Sequence, residues 1–166
     1  ATSPSKTFNL AGMQLSNIVV HDPELRKAWK SYVGEELHVE LHNALAIEAA
    51  EAAFDKGEPW LEELLDYLDG QAKFLGDFLA ERLPGARYRI PEGTYLAWID
   101  LSAYCGRKPG ASDALVRRLS REAGVMLEAG SLFGPEGEGY VRLNFACPRS
   151  ILAEGLERVA AAIEKR

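Results

Sequence analysis

Between Trp60 and Leu83 the apolar residues Leu61, Leu64, Leu65, Leu68, Phe74, Leu75, Phe78 and Leu79 recur at three- and four-residue spacing, and the run stops at Pro84-Gly85. That period winds them onto one stripe of a helix, and such a stripe is stable only when something covers it. The chain must hold a packed partner for it, as core or as subunit interface. With 166 residues, 47% of them hydrophobic, it has the material for one core of ordinary size and at most two small domains.

The residues after the helix read as that partner. "RYRI", a turn at Pro91-Glu92-Gly93 and the β-rich "TYLAWIDL" form a hairpin pattern, with Tyr95 and Trp98 as core candidates. Ser112 stands where an N-cap of the helix "DALVRRLSREAG" belongs, and Gly124 ends that helix before the strand-like "VMLE". Glycines and Pro135 punctuate the loop from Gly130 to Gly139, which does not match a Walker phosphate loop and reads as a turn. "YVRLNFA" then alternates, placing Val141, Leu143 and Phe145 on one face and Tyr140, Arg142 and Asn144 on the other. A last helix, from about Ser150 to Lys165, carries Leu152, Leu156, Val159, Ala160 and Ile163 on one stripe. Strands covered by helices make this half an α+β domain. Upstream, residues 1 to 20 show no sustained period. From about Asp22, with Pro23 at a first helical position, the pattern turns helical and continues through "NALAIEAAEAAF" until "DKGEP" breaks it.

Composition excludes several classes. The 19 basic against 25 acidic residues give a net charge of −6, which offers no electrostatic footprint for nucleic acid or anionic membranes. No apolar run approaches the ~20 residues of a membrane span. Cys105 and Cys147 match no CxxC spacing, so neither a metal site nor a disulfide framework is indicated, and a reducing cytoplasm is the expected compartment. "HVELH" puts His38 and His42 one helical turn apart, but the glutamate is not in the HExxH position and no third ligand is evident, so the pair reads as structural.

Chemistry is most legible at the start. "SPSK" fits the S-x-x-K pattern of penicillin-recognising serine enzymes, yet no S-D-N follows and the lysine continues as "KTF" rather than K-T-G. The same spacing serves a lysine that forms a Schiff base, with a hydroxyl nearby to meet an anionic cofactor group. Near the other end, Arg142 on a strand offers a guanidinium fork that matches a carboxylate bidentately.

"SPSKTFNLAGMQLSN" resembles the Schiff-base lysine region of fold-type I pyridoxal-phosphate enzymes, the aminotransferase class I/II superfamily, and within it the cystathionine β-lyase or C–S lyase branch. "GTYLAWIDLS" and "GVMLEAGSLFGPEGEGYVRLNFACPRSILAEGLERV" resemble the small C-terminal domain of the same branch. The resemblance implies that Lys6 carries pyridoxal 5'-phosphate, that Ser3 contacts its phosphate, and that Arg142 pairs with the α-carboxylate of a small amino-acid substrate. Many aminotransferases have a phosphate-binding arginine eight residues after the lysine; Gln14 stands there instead, in keeping with the C–S lyase branch.

The fold so implied is the end of a large domain at residues 1–24, a linking helical segment at 25–58 and a small α+β domain at 59–166, as in aspartate aminotransferase-like enzymes. The chain is then the C-terminal portion of a longer enzyme, lacking the large domain and inactive by itself, with a homodimer as the expected assembly. The implied reaction is β-elimination from cystathionine or cysteine-type substrates to pyruvate, ammonia and thiol. An aminotransferase is the alternative, and an aminotransferase-like domain of a transcription regulator, or a non-catalytic module, is the alternative from another class.

Overall fold

The structure is a computed structural model that describes residues 1–39 and 43–165. The chain divides into two compact units, Ala1–Leu65 and Asp66–Arg166.

In the first unit, α1 (Pro23–Ser31) starts where Asp22 accepts from the backbone N–H groups of Glu24 and Leu25 at 2.8 and 2.9 Å, with Pro23 in its first turn. The helical pattern read from Asp22 onward does not continue unbroken. After α1 the backbone widens into a π turn at Tyr32–Glu36, and His38 adopts φ +52. Val33 and Gly34 are weak helix formers, and a left-handed residue ends any right-handed helix. Of the His38/His42 pair, His42 lies outside the described residues. Helix α2 (Ala46–Lys56) resumes the pattern and stops at Gly57, and α3 (Glu58–Arg82) begins at once with Pro59 in its first turn. Gly57 is required there by close approach: a Cβ would lie 2.4 Å from the Ala53 carbonyl oxygen and 2.7 Å from the Phe8 ring.

In the second unit, four antiparallel strands form one sheet in the order β1-β2-β4-β3, where β1 is Arg87–Tyr88, β2 is Leu96–Asp100, β3 is Glu128–Ala129 and β4 is Tyr140–Asn144. Between β2 and β3 run the short α4 (Ser102–Cys105) and α5 (Ala111–Glu122); α6 (Arg149–Glu164) closes the chain. The hairpin expected around Pro91-Gly93 is present, with Tyr88 opposite Ile99. The alternation in β4 is realised: Val141, Leu143 and the following Phe145 are buried, and together with Ala97 and Ile99 of β2 they meet Leu75, Leu79, Leu115, Leu119, Leu156 and Ile163 from the helices. The α3 stripe is thereby covered in its C-terminal half, whereas Leu65 stays exposed.

Three local readings are corrected. Of the strand-like "VMLE" only Glu128 pairs with β4, and the next residue, Ala129, completes the strand. Trp98 is not core: strand alternation turns it to the face away from the helices, 39% exposed, while Tyr95 packs partly buried against the core. Ser112 does not cap α5. Gly110 holds the cap position, and Ser112 is fully buried, accepting from Gly139 N–H at 2.8 Å and donating to the Gly137 carbonyl at 3.3 Å. The open N–H groups of the helix start are met instead by Glu138, whose carboxylate accepts from Gly110 at 2.6 Å and Ser112 at 3.1 Å. The helix is thus capped from a distant loop. That loop folds back on itself so tightly that a Cβ on Gly137 would lie 2.0 Å from the Gly130 carbonyl oxygen.

A second long-range tie fixes the turn after β4. Buried Gln71 donates to the Cys147 carbonyl at 2.8 Å and accepts from Arg149 through its amide oxygen; the Tyr67 hydroxyl donates to the same carbonyl at 3.2 Å and accepts from Arg149 N–H at 2.9 Å. The Arg149 guanidinium lies 4.4 Å from the Phe74 ring centroid.

Two outcomes test this packing. Leu119 is 0% exposed, so Leu119→Ala should lower stability by about 2–5 kcal/mol in urea unfolding. The backbone hydrogen bonds from Ser112, then Gly110, hold the Glu138 carboxyl below its ordinary value. A depressed folded-state value stabilises above the unfolded carboxylate range and is lost as pH falls through it. Glu138→Gln should therefore be less stable than the parent at pH 7, with the gap closing as pH falls below about 4, as read by thermal unfolding across pH.

Candidate functional site

The residues expected to form a site fall in two groups, one in each unit. The first is the loop from Thr2 to Asn17. Its ends are closed by reciprocal backbone hydrogen bonds between Thr2 and Asn17 at 2.9 and 2.8 Å. Inside it, Pro4 is buried and its carbonyl accepts from Phe8 N–H at 3.0 Å, so Ser5, Lys6 and Thr7 ride one helical turn. Phe8 anchors that turn, with its ring 5.6 Å from Phe54 in an edge contact and 6.1 Å from Trp60 in a stacked one. Lys6 is exposed at the crest, and among the described residues no acceptor lies within hydrogen-bond distance of its amine.

Ser3 lies on the same loop. Its hydroxyl donates to the Leu15 carbonyl at 2.8 Å and accepts from Ser5 N–H at 3.2 Å; with its proton so engaged, the 2.6 Å contact to the Ser5 hydroxyl is donated by Ser5. A phosphate contact by Ser3 would require it to leave Leu15. The donor set fits an aldehyde-bearing phosphate ester: the primary amine of Lys6, with the hydroxyls of Ser3 and Ser5 within three residues of it in the chain. Gln14 is exposed and sits at φ +54, a conformation uncommon outside Gly, Asn and Asp, and such positions gather at functional sites.

The second group centres on Arg142. Its position in β4 is opposite Trp98 of β2 and opposite Glu128 of β3, so all three side chains share the face away from the helices. Glu128 accepts from Arg142 Nε and forms an ion pair with Nη2, and the guanidinium carbon stands 4.6 Å from the centroid of the Phe133 ring. Phe133 meets the edge of Trp98 at 5.5 Å, and Trp98 stacks on Tyr140 at 5.4 Å. Arg107 continues the row, 4.9 Å from the Tyr140 centroid and 2.6 Å from the Asp100 carboxylate. Burial pushes the Asp100 carboxyl up, but hydrogen bonds from Ser102 and the charges of Arg107 and Arg87 outweigh it and leave the group below its ordinary value.

Sequence reasoning picked out Arg142 and its face but missed Glu128, Phe133 and Trp98 as its neighbours. Pairing between β2, β3 and β4 is non-local, and only the alternation in each strand could have hinted at it. Among the described residues, no cluster of three His, Cys, Asp or Glu could hold a metal, and no helix is long and apolar enough to cross a membrane.

The profile of the family described as aminotransferase class I and II matches residues 1–159. Cystathionine beta-lyase PatB of Bacillus subtilis (strain 168) is 41% identical over 97% of this chain and 40% of its own length. The crystal structure of the PLP-bound C–S lyase from Staphylococcus hominis superposes with a TM-score of 0.86 at 38% identity, covering 99% of this chain and 41% of that one. Cystalysin from Treponema denticola, whose structure contains pyridoxal 5'-phosphate, gives a TM-score of 0.87 at 29% identity over 99% of this chain and 40% of its own. The chain thus spans about 40% of the length of the curated relatives it matches. The match over residues 1–159 shows that the chain belongs to the aminotransferase class I and II family.

Proposed function

We propose that this chain provides the lysine-bearing and carboxylate-binding part of a pyridoxal-phosphate enzyme that eliminates the β-thiol from cystathionine or cysteine-type amino acids. The observation that carries the reading is the 41% identity to a cystathionine β-lyase over 97% of the chain, which takes in both the Lys6 loop and the Arg142 strand. In this reading residues 1–24 belong to a larger cofactor-binding domain, 25–58 link it, and 59–166 form the small domain that recognises substrate. That large domain and a second copy in a homodimer would supply the rest of the site.

Lys6 would hold the cofactor through its amine, and Ser3, with Ser5 beside it, would donate to the phosphate after exchanging its bond to Leu15. Bound there, pyridoxal phosphate supplies an electron sink for the charge left when the Cα proton departs. Arg142 would receive the substrate α-carboxylate on its guanidinium fork and so set which Cα substituent is presented for cleavage. The Lys6 amine, once displaced by the substrate amine, would take the Cα proton as general base. Loss of the β-thiolate then gives aminoacrylate, which hydrolyses to pyruvate and ammonia. If Lys6 instead gave that proton back with the thiol still in place, the outcome would be transamination, the alternative that the family name itself keeps open.

Incubation of this chain with pyridoxal phosphate, followed by borohydride reduction and peptide mapping, should label Lys6 and lose that label in Lys6→Ala; labelling spread evenly over the lysines would count against Lys6. In the full-length protein, Lys6→Ala should lower kcat by about 10²–10⁴-fold or more. Arg142→Ala should lower kcat/KM for cystathionine by about 10- to 100-fold. Transamination of an amino acid with a keto acid, without pyruvate release from cystathionine, would overturn the lyase assignment.

A further inference from the structure

The ion pair between Arg142 and Glu128 bears on how a carboxylate can approach, and this inference rests on the reading of Arg142 just given. A guanidinium has five N–H donors arranged along three edges. A carboxylate can take the side edge, formed by Nε and one Nη, or the end edge, formed by Nη1 and Nη2. Glu128 engages the side edge, because its Oε2 accepts from Nε and pairs with Nη2. Among the described residues no acceptor meets Nη1, and the Arg142 side chain retains 30% exposure. The end edge is therefore the one left open.

Different elements restrain the group. Register fixes the origin of both side chains, since Glu128 sits directly opposite Arg142 across β3 and β4. Phe133 packs against the guanidinium, with the cation 4.6 Å from its ring centroid. Rotation of the guanidinium is opposed by the Glu128 carboxylate, which accepts from Nε while pairing with Nη2. We infer that Glu128 is a positioning residue for substrate recognition, which locks the Arg142 guanidinium so that its Nη1/Nη2 edge meets the incoming α-carboxylate. It acts through Arg142 and touches no reacting atom.

A carboxylate beside an arginine could equally act as a competitor that the substrate must displace. The two roles have opposite signs: loss of a positioning group weakens substrate binding, whereas loss of a competitor tightens it. The geometry favours positioning, because the edge that Glu128 engages differs from the edge that stays open.

The test uses the full-length, pyridoxal-phosphate-loaded protein with cystathionine as substrate and propionate as a competitive inhibitor that has a carboxylate but no amine. Glu128→Ala should raise KM and the propionate inhibition constant by about fivefold, in line with a half-exposed ion pair. It should leave kcat within about twofold, the pattern of lost binding rather than lost chemistry. Glu128→Gln should recover most of the loss, because its amide oxygen can still accept from Nε and Nη2, and it keeps the test usable if the alanine variant does not fold. The Arg142 Nε–H resonance in ¹⁵N NMR should move in Glu128→Ala and move less in Glu128→Gln. A KM that stays the same or falls in Glu128→Ala, or a glutamine variant no better than alanine, would overturn the inference. Arg142→Ala separates the two levels: if it leaves KM unchanged, the carboxylate reading of Arg142 fails; if it raises KM while Glu128→Ala does not, only the role of Glu128 fails.

Discussion

The pleat of β4 is the constraint on which the second unit depends. Val141, Leu143 and Phe145 must face the helices to bury their side chains, and a period of two then leaves Tyr140 and Arg142 no choice but the opposite face. A slip of one residue would drive a guanidinium into the core and expose three apolar side chains. Burial of apolar area and presentation of a cation are therefore one event, and the strand cannot do the first without the second. The same rule applied to β2 brings Trp98 beside Arg142. Register thus sets Trp98, Glu128, Arg142 and Tyr140 on this face, and Phe133 and Arg107 join them from the loops.

Long-range polar ties hold what the sheet does not reach. Glu138 caps α5 from the loop before β4, buried Ser112 bonds both Gly137 and Gly139, and Gln71 on α3 ties the turn between β4 and α6. Each tie satisfies backbone groups that would otherwise lie open at a helix end or in a turn. Together they frame β4 at both ends, which steadies the strand that carries Arg142.

Periodic features were legible in the linear chain because their physics is local. The α3 stripe, the β4 alternation, the hairpin and the α6 stripe each depend on neighbours within a few residues, and the structure places them within a residue or two of expectation. The helix read from Asp22 failed where Val33, Gly34 and His38 break it, because a weak stretch inside a longer pattern was averaged over. Ser112 failed as a cap for a different reason: a serine near a helix start can cap it or be recruited elsewhere, and Glu138 decides which from 26 residues downstream. At the candidate site, motif and resemblance single out Lys6, Ser3 and Arg142 as the residues to consider. They do not reach Glu128 and Phe133, whose proximity to Arg142 arises only when β3 and the glycine-rich loop fold back onto β4.

The placement of the Phe8 ring has a mechanical consequence. The ring fills the space that a side chain at Gly57 would take, where α2 ends and α3 begins, and it lies only two residues from Lys6. The loop is thereby riveted to a helix joint. A side chain at residue 57 would have to displace that ring, and with it the packing contact two residues from the lysine.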